Sequence, residues 1–598
     1  MALNLEQKQK FRNVARQAGI LLAYLGLAVV FTWPLARHLS NFYPSLPGIF
    51  TGDGDPSVFL WYIDWAAKIL KHASGLPAGQ MLFYPNGFNA LAGYDGLMVL
   101  LLGVPLFLLT GKLVLAYNLY IFLAIVLNCY AVYLLGRFLK FQQLAAFTGG
   151  FAFGLSAYVL VRSLQHPNLI LLAPLPLLVL AGLRFAQRPG WRNAVGVAAA
   201  MLFCALSSWY YALSALVFLF ILLLGHLNLV KRFWKELVLV GILVAAVLFA
   251  VAAPSIFGAR GHSAARQPQS FYVDGSAQPL NFFVPHPFSV FSTVRIRDIY
   301  SHFPSTYAAG VPNPYEATSY FGVAGLLVLF YLIFHRRKKI IEKELLWLAM
   351  IAVFTLLALG PVLKISKLSI PLPFALLEKI YPYSLFRVPN RFFTMAFLAA
   401  TVILMFTLDA LKDLSGRRSQ ILLFILIAGL LAAERLFLPY PLVPFHASNF
   451  YYQQSAAKGN YAIADLPISY PGYPEYNLFQ TVSGKAMVDG EYFYSAYDSE
   501  TFSYIRANDL LAASVCSDST GAILDRVQPR ASAPDFAAQK RAALADLAAH
   551  NIKYVVVHNF LLVLDPGCHN SFAYVRAFFN GVRPVYADGE ITVFATAQ

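Results

Sequence analysis

Charge is what this sequence has least of. Only 12% of its 598 residues are charged, against 59% hydrophobic ones, a balance that excludes an ordinary soluble globular protein. Cysteine is nearly absent too. There are four, none at zinc-ligand spacing, so no cysteine-built metal centre is expected. No Walker loop, dinucleotide fingerprint or Ser-His-Asp pattern occurs, which removes a soluble nucleotide donor from the functional readings. Acids are scarcer than bases, and the formal charge is +16. That excess is unevenly distributed. Residues 440–598 hold 10 Lys and Arg to 14 Asp and Glu, a balance of −4, so the preceding part carries +20 with 35 basic and 15 acidic residues. Those bases sit in short clusters between apolar runs. This is a topology signal with no polyanion groove, and no nucleic-acid partner is expected.

What the chain does have is apolar runs of 16–25 residues, recurring along its first 440 positions. Such runs cross a hydrocarbon layer of about 30 Å as helices, which satisfy their own backbone hydrogen bonds in lipid. Spans are expected near 18–35, 113–136, 142–160, 169–186, 193–207, 210–227, 236–254, 319–335, 344–361, 391–411 and 419–438, eleven in all. The N-terminus, MALNLEQKQKFRNVARQ, is basic and lacks a small-residue cleavage site, so the first span is expected to be uncleaved. With that end inside, twenty basic residues fall on the inner side, from Lys8, Lys10, Arg12 and Arg16 through to Lys412, Arg417 and Arg418. The positive-inside rule then holds throughout. It holds only if 96–111, GLMVLLLGVPLFLLTG, does not cross. That stretch is short and interrupted by Pro105, and it reads as half-buried or interfacial. It and 57–70 then share one outer loop, 36–112, with further outer segments at 255–318 and 362–390.

An odd number of spans leaves 440–598 outside, and there the pattern changes. YAIADLP and IKYVVVH read as short buried strands, FAAQKRAALADLAAHN as an amphipathic helix, and PVYADGEITVFAT as a hairpin turning at Asp-Gly. The fold class is thus a polytopic all-α membrane domain over 1–439, with about eleven transmembrane helices, plus an extracytoplasmic α/β domain over 440–598. Cys129 and Cys204 lie in apolar runs and read as inert core. Cys516 and Cys568 can pair if their region faces an oxidising compartment.

The acids of the outer face before residue 440 are Asp53, Asp55, Asp64, Asp95, Asp274, Asp298, Glu316 and Glu378. Carboxylates at a membrane edge are expensive and are functional candidates by default. In TGDGDPSVFLWYIDWAAKIL, residues 51–70, Asp53 and Asp55 form the best pair. They can share Mg²⁺ or Mn²⁺, or one can act as a general base. The plainer alternative is a solvated turn with Asp capping the helix that begins near Pro56. Arg162 and His166, in RSLQHPN, can pair with a phosphate or simply anchor at the interface. SSWYYA, 207–212, suits sugar stacking or an aromatic belt. YPNG, 84–87, is first a turn. Glu316 precedes a span, as a helix-dipole partner or a site residue. Arg387 and Arg391 lie at the outer end of a span, where charge bias disfavours bases, and point to an anion such as a lipid phosphate or to ordinary headgroups. Trp61 and Tyr84 complete the substrate-binding candidates.

The segments GDGDPSVFLWYIDW, FYPNG, EATSYFG, RVPNRF and QTVSGKAMVDGEY, in this order and layout, resemble the GT-C superfamily of integral-membrane glycosyltransferases, above all its uncharacterised bacterial members. The resemblance implies a bacterial inner-membrane protein. It would transfer a sugar from a polyprenyl-phosphate donor, with inversion, to an extracytoplasmic saccharide, lipid or protein acceptor. It also implies that an acid of the first outer loop, Asp55 at the D-P position or Asp53 at the G-D-G position, is the base or metal ligand, and that basic residues hold the donor phosphate. The W-W-D-type acceptor motif of oligosaccharyltransferases is missing. Two other functions stay open: a transporter or flippase for lipid-linked saccharide, and a non-catalytic envelope-assembly protein.

Overall fold

The computed structural model describes residues 5–45, 55–71, 78–90, 94–258, 272–273, 275–285, 289, 318–323, 325, 342–365, 368–380, 383–410, 417–437, 439–468, 473–491, 500–516, 535–559 and 568–597. Up to residue 434 they are mainly helical: α1 Leu5–Phe31, α2 Pro56–Leu70, α3 Leu97–Thr110, α4 Leu113–Phe138, α5 Gln143–Gly154, α6 Ala157–Gln165, α7 Pro174–Gln187, α8 Trp191–Ser207, α9 Trp209–Leu224, α10 Trp234–Gly258, α11 Glu342–Ala358, α12 Phe393–Ala410 and α13 Arg417–Glu434.

The boundaries follow local chemistry. α2 starts on Pro56, where the missing N–H is one the helix would leave unbonded anyway. α3 is bracketed by Gly96 and Gly111, both at positive φ, 99° and 65°. Pro105 lies inside α3 without ending it, contrary to the interruption expected. One backbone bond is lost there, but α3 packs along both α2 and α4, which hold its course. The run expected as one span over 142–160 divides at Ser156, whose extended backbone starts α6 afresh.

Six stretches of the described residues are long and apolar enough to cross a membrane: Phe11–Phe31, Leu113–Phe138, Gln143–Gln165, Pro167–Gln187, Trp234–Ala253 and Pro389–Ala410. The chain is accordingly membrane-embedded. Helices at 191–207, 209–224 and 344–358 are apolar but shorter, and most of the span expected at 319–335 lies outside the described residues.

From residue 440 the structure turns mixed. Strands β5 Ala462–Leu466, β6 Ala486–Met487, β7 Ile552–His558, β8 Tyr586–Ala587 and β9 Ile591–Ala595 form one sheet in the order β6-β5-β7-β9-β8. β5 runs parallel to β6 and β7, and β9 is antiparallel to β7 and β8. Helices α14 Asn449–Ala456, α15 Pro474–Ser483, α16 Phe536–Ala549 and α17 His569–Phe578 accompany it. β7 and α16 stand where IKYVVVH and FAAQKRAALADLAAHN put them.

This part is tied to the 36–112 segment at several points. β1 Phe42–Pro44 pairs antiparallel with β4 Leu442–Pro444. Met487 donates its N–H to the Met81 carbonyl at 3.0 Å and accepts from the Tyr84 N–H at 2.9 Å. The Trp61 indole donates to Gln480 on α15 at 2.8 Å, and the Asn86 amide to Ser503 at 2.8 Å.

Cys516 and Cys568 are bonded across 52 residues, both buried, with the Tyr473 hydroxyl within 3.6 Å of each sulfur. Closing a loop of that length is worth about 4 kcal/mol through the unfolded chain. Reduction should therefore lower the unfolding midpoint of the 440–598 part clearly, followed by thermal unfolding with and without dithiothreitol. An unchanged midpoint, with both thiols alkylated, would leave the bridge without a stabilising role.

Candidate functional site

Asp55 precedes α2, and its side chain makes no cap bond to that helix, so the plain capping alternative is not what the carboxylate does. It turns instead to His166, with Oδ2 2.9 Å from Nδ1, the two side chains 26% and 17% exposed. The backbone reinforces this meeting, since the Asp55 N–H donates to the Gln165 carbonyl at 3.1 Å. His166 ends α6, and the chain behind it is pinned to α4. Tyr120 donates to the Pro167 carbonyl at 3.0 Å, Asn128 donates to that of Ile170 at 2.7 Å, and the Asn128 side-chain oxygen accepts from the Ala173 N–H at 2.7 Å. Tyr117 lies within electrostatic reach of Asp55, Tyr43 and Tyr440. The Tyr43 hydroxyl is 3.2 Å from that of Ser57, and Tyr440 bonds Ser163.

The second feature is Arg391. It sits in the 3₁₀ turn Pro389–Phe392, 7% exposed, with its guanidinium 4.2 Å above the Tyr210 ring, an arrangement that holds the cation by its π-face. The ring of Phe386, next to the half-buried Arg387, meets Tyr210 edge-on at 4.6 Å. Arg162 is fully buried one turn before His166, 5.0 Å over the Tyr158 ring. The Tyr158 and Tyr211 hydroxyls are 3.3 Å apart, and Tyr211 lies within electrostatic reach of both Arg162 and Arg391. A small cavity behind them is lined by Ser156, Tyr158, Thr318, Tyr320 and Thr394 among others.

Asp95 joins the two features, and the sequence marked it only as one outer acid. It accepts from the Asn168 amide at 3.0 Å, the Ser208 hydroxyl at 2.8 Å and the Trp209 N–H at 2.9 Å. Ser208 caps α9 in turn, accepting from the Tyr210 N–H at 3.2 Å. Gly96 is needed beside it, because a Cβ there would come within 2.4 Å of the Asn168 Cβ. Asp95 thus fixes the strip carrying His166 against the start of α9, whose Tyr210 ring carries the Arg391 guanidinium. Burial raises its carboxyl above the usual range, opposed by the Trp209 N–H, Ser208, Arg391 and Asn168.

The remaining candidates lie elsewhere. Trp61 is 0% exposed with its N–H spent on Gln480, so it offers no ring face to a ligand. Tyr84 belongs to the seam with Met487. Asp64 is buried in an ion pair with Lys68 at 2.5 Å. Asp53 and Glu316 lie outside the described residues. Among the described residues no group of three or more His, Cys, Asp or Glu is placed to hold a metal. Asp55 and His166 offer two donors and turn them on each other. Of the pair expected to share Mg²⁺ or Mn²⁺, Asp55 turns to His166 and Asp53 lies outside the described residues.

Several solved structures resemble the chain. The oligosaccharyltransferase of Archaeoglobus fulgidus is 14% identical, with TM-score 0.46, over 90% of this chain and 69% of its own. The arabinofuranosyltransferase AftD from Mycobacteria is 13% identical, with TM-score 0.49, over 97% of this chain and 40% of its own, so the chain spans less than half of it. ArnT from Cupriavidus metallidurans, solved bound to undecaprenyl phosphate, is 11% identical, with TM-score 0.38, over 97% of this chain and 98% of its own. These are GT-C glycosyltransferases, but likenesses this distant fix neither substrate nor activity here. No curated protein matches. Residues 85–432, more than half of the chain, match the family described as Domain of unknown function (DUF6311), and the chain belongs to that family.

Proposed function

We propose that the chain is an integral-membrane glycosyltransferase that moves a sugar, with inversion, from a polyprenyl-phosphate donor to an extracytoplasmic saccharide, lipid or protein acceptor. The observation that carries this reading is the pairing of a partly exposed carboxylate, Asp55 on His166 at 2.9 Å, with a nearly buried guanidinium, Arg391 on Tyr210. Asp95 bonds Asn168, two residues after His166, and Ser208, two before Tyr210, and so links the two partners. A base and an anion holder at the rim of apolar helices suit a substrate that is half lipid and half sugar. The Cys516–Cys568 bond fits an oxidising, extracytoplasmic setting for the 440–598 part. In the same reading the membrane is the bacterial inner membrane, with the N-terminus cytoplasmic.

In the proposed reaction the acceptor hydroxyl gives its proton to a free oxygen of the Asp55 carboxylate. Its oxygen bonds to the anomeric carbon on the face opposite the phosphate. The carbon–oxygen bond to phosphate breaks, and its electron pair stays on the phosphate. Arg391, with Arg387 and Arg162 nearby in sequence or space, stabilises that growing charge. His166 holds the carboxylate in orientation. No step is routed through a metal.

The test is transfer of labelled sugar from synthetic polyprenyl-phosphate donors in proteoliposomes. Arg391→Gln should lower kcat/KM for the donor by about 10–100-fold, the worth of a charged hydrogen bond. Arg391→Lys should recover only part of it, because an ammonium lacks the flat face that stacks on Tyr210. Unchanged donor kinetics in Arg391→Gln would remove the phosphate role. Movement of intact lipid-linked saccharide across the bilayer without transfer would favour the flippase alternative.

A further inference from the structure

β2 Val362–Ile365 and β3 Leu368–Pro371 form a two-stranded sheet of their own. Leu363 faces Ile370 and Ile365 faces Leu368 in the antiparallel register. Positions 363, 365, 368 and 370 therefore share one face, and all four are Leu or Ile. All of β3 is exposed, with Leu368 at 59% and Ile370 at 37%. Just beyond, Leu376 is 68% and Ile380 53% exposed. A lone two-stranded ribbon is marginal in water, and one with Leu368 and Ile370 exposed is worse placed still.

We propose that this hairpin, with Leu376 and Ile380, is a ledge seated on the outer leaflet, its 363/368/370 face resting in lipid. The proposal rests on the chain spanning a membrane with 362–390 outside. The lipid is favoured as occupant by continuity. β2 begins four residues after α11 ends at Ala358, a reach of about 14 Å at most, and the chain re-enters a membrane-long stretch at Pro389. The hairpin cannot stand far from the bilayer. Its depth is limited as well. Among the described residues each strand has one unpaired edge, and open edges are not tolerated within hydrocarbon, so the ladder lies at headgroup level. Exposed Lys379 beside Ile380 suits that level, its stem in the apolar layer and its ammonium outside.

The ledge is coupled to the candidate site. Phe374, fully buried, lies 6.3 Å from Phe386 and 6.1 Å from Phe392, and those two rings stack at 4.2 Å on either side of Arg387 and Arg391 in sequence. A lipid-borne donor moving along the leaflet would meet the ledge beside the turn that holds Arg391.

Single cysteines test this in the full chain. Cys129 and Cys204 are buried and the other two are bonded, so an added surface thiol labels selectively. Leu368→Cys, Ser369→Cys and Ile370→Cys, each carrying an environment-sensitive fluorophore, are compared in nanodiscs with and without nitroxide-tagged phosphatidylcholine. Ile242→Cys on α10, 61% exposed in a membrane-long stretch, serves as the control. Quenching at 368 and 370 roughly twofold or more above that at 369 is expected for a face lying in lipid. If 242 is quenched while 368 and 370 respond like 369, the ledge is overturned and the membrane reading stands. If 242 is not quenched either, the membrane reading itself fails. Spontaneous disulfide dimers through Leu368→Cys would assign the face to a second copy and overturn the lipid occupant.

Discussion

Asparagine in place of Asp55 is expected to slow sugar transfer by about 10²–10⁴-fold, the usual worth of a positioned general base, with little change in fold or donor KM. The structure explains why the two effects separate. The carboxylate makes no cap bond to α2, so the helix does not depend on its charge. The backbone bonds of Asp55, to the Gln165 carbonyl and from the Phe59 N–H, are independent of the side chain. An asparagine keeps the shape and still meets the His166 ring, whose tautomer can adapt. What it lacks is an oxygen able to take a proton. His166→Gln should cost less than Asp55→Asn, because a positioning partner is lost while the base remains. The measurement is single-turnover transfer at saturating donor, with a thermal melt as the fold control. Wild-type transfer by Asp55→Asn, with loss in Asp53→Asn, would move the base two residues upstream. Wild-type transfer in both would leave the first outer loop without a base.

How much of this site a sequence can show depends on how local each contact is. Asp55 stands out because glycine, proline and a very apolar helix surround it within a few positions. The sequence marks His166 as a polar residue in an outer turn suited to pairing with phosphate beside Arg162, whereas its ring nitrogen engages Asp55. Asp95 reads in the sequence as one outer acid among several, with nothing to place it in the site. Its partners are 73 and 113 positions away, and no periodicity or motif links such distances. Trp61 misleads for the opposite reason. An indole next to acids reads as a substrate contact, but Gln480, 419 positions on, takes its N–H and the 440–598 part covers it. The helices and β7 are legible because their apolar patterns are local, whereas the division of 142–160 into two helices depends on one serine's backbone.

Two substitutions at Asp95 should behave very differently, and the contrast identifies what the carboxylate does. Asp95→Ala leaves the Asn168 amide, the Ser208 hydroxyl and the Trp209 N–H with no acceptor in a buried place. Each stranded donor costs about 1–3 kcal/mol, so the loss should amount to several kcal/mol and loosen the strip that carries His166. Asp95→Asn can be partly repaired. Its carbonyl oxygen serves the Trp209 N–H. Its amide faces Ser208, whose oxygen can accept, and Asn168, whose side-chain oxygen is buried without a partner among the described residues and can turn inward. The asparagine also removes a charge that burial disfavours. Because the folded carboxyl titrates above its unfolded value, the wild type loses stability as pH rises from the unfolded toward the folded pKa, and stays at the lower level beyond it. Asp95→Asn has no such loss, so its melting point relative to wild type should climb over that window. With the charge of Asp95 gone, one carboxylate that competes with a donor phosphate for Arg391 is removed, and donor KM should not rise. Melts of both variants across pH, with donor KM alongside, decide the matter. Equal damage from Asn and Ala would mean that the negative charge itself, and not the set of three accepted bonds, holds the two halves of the site together.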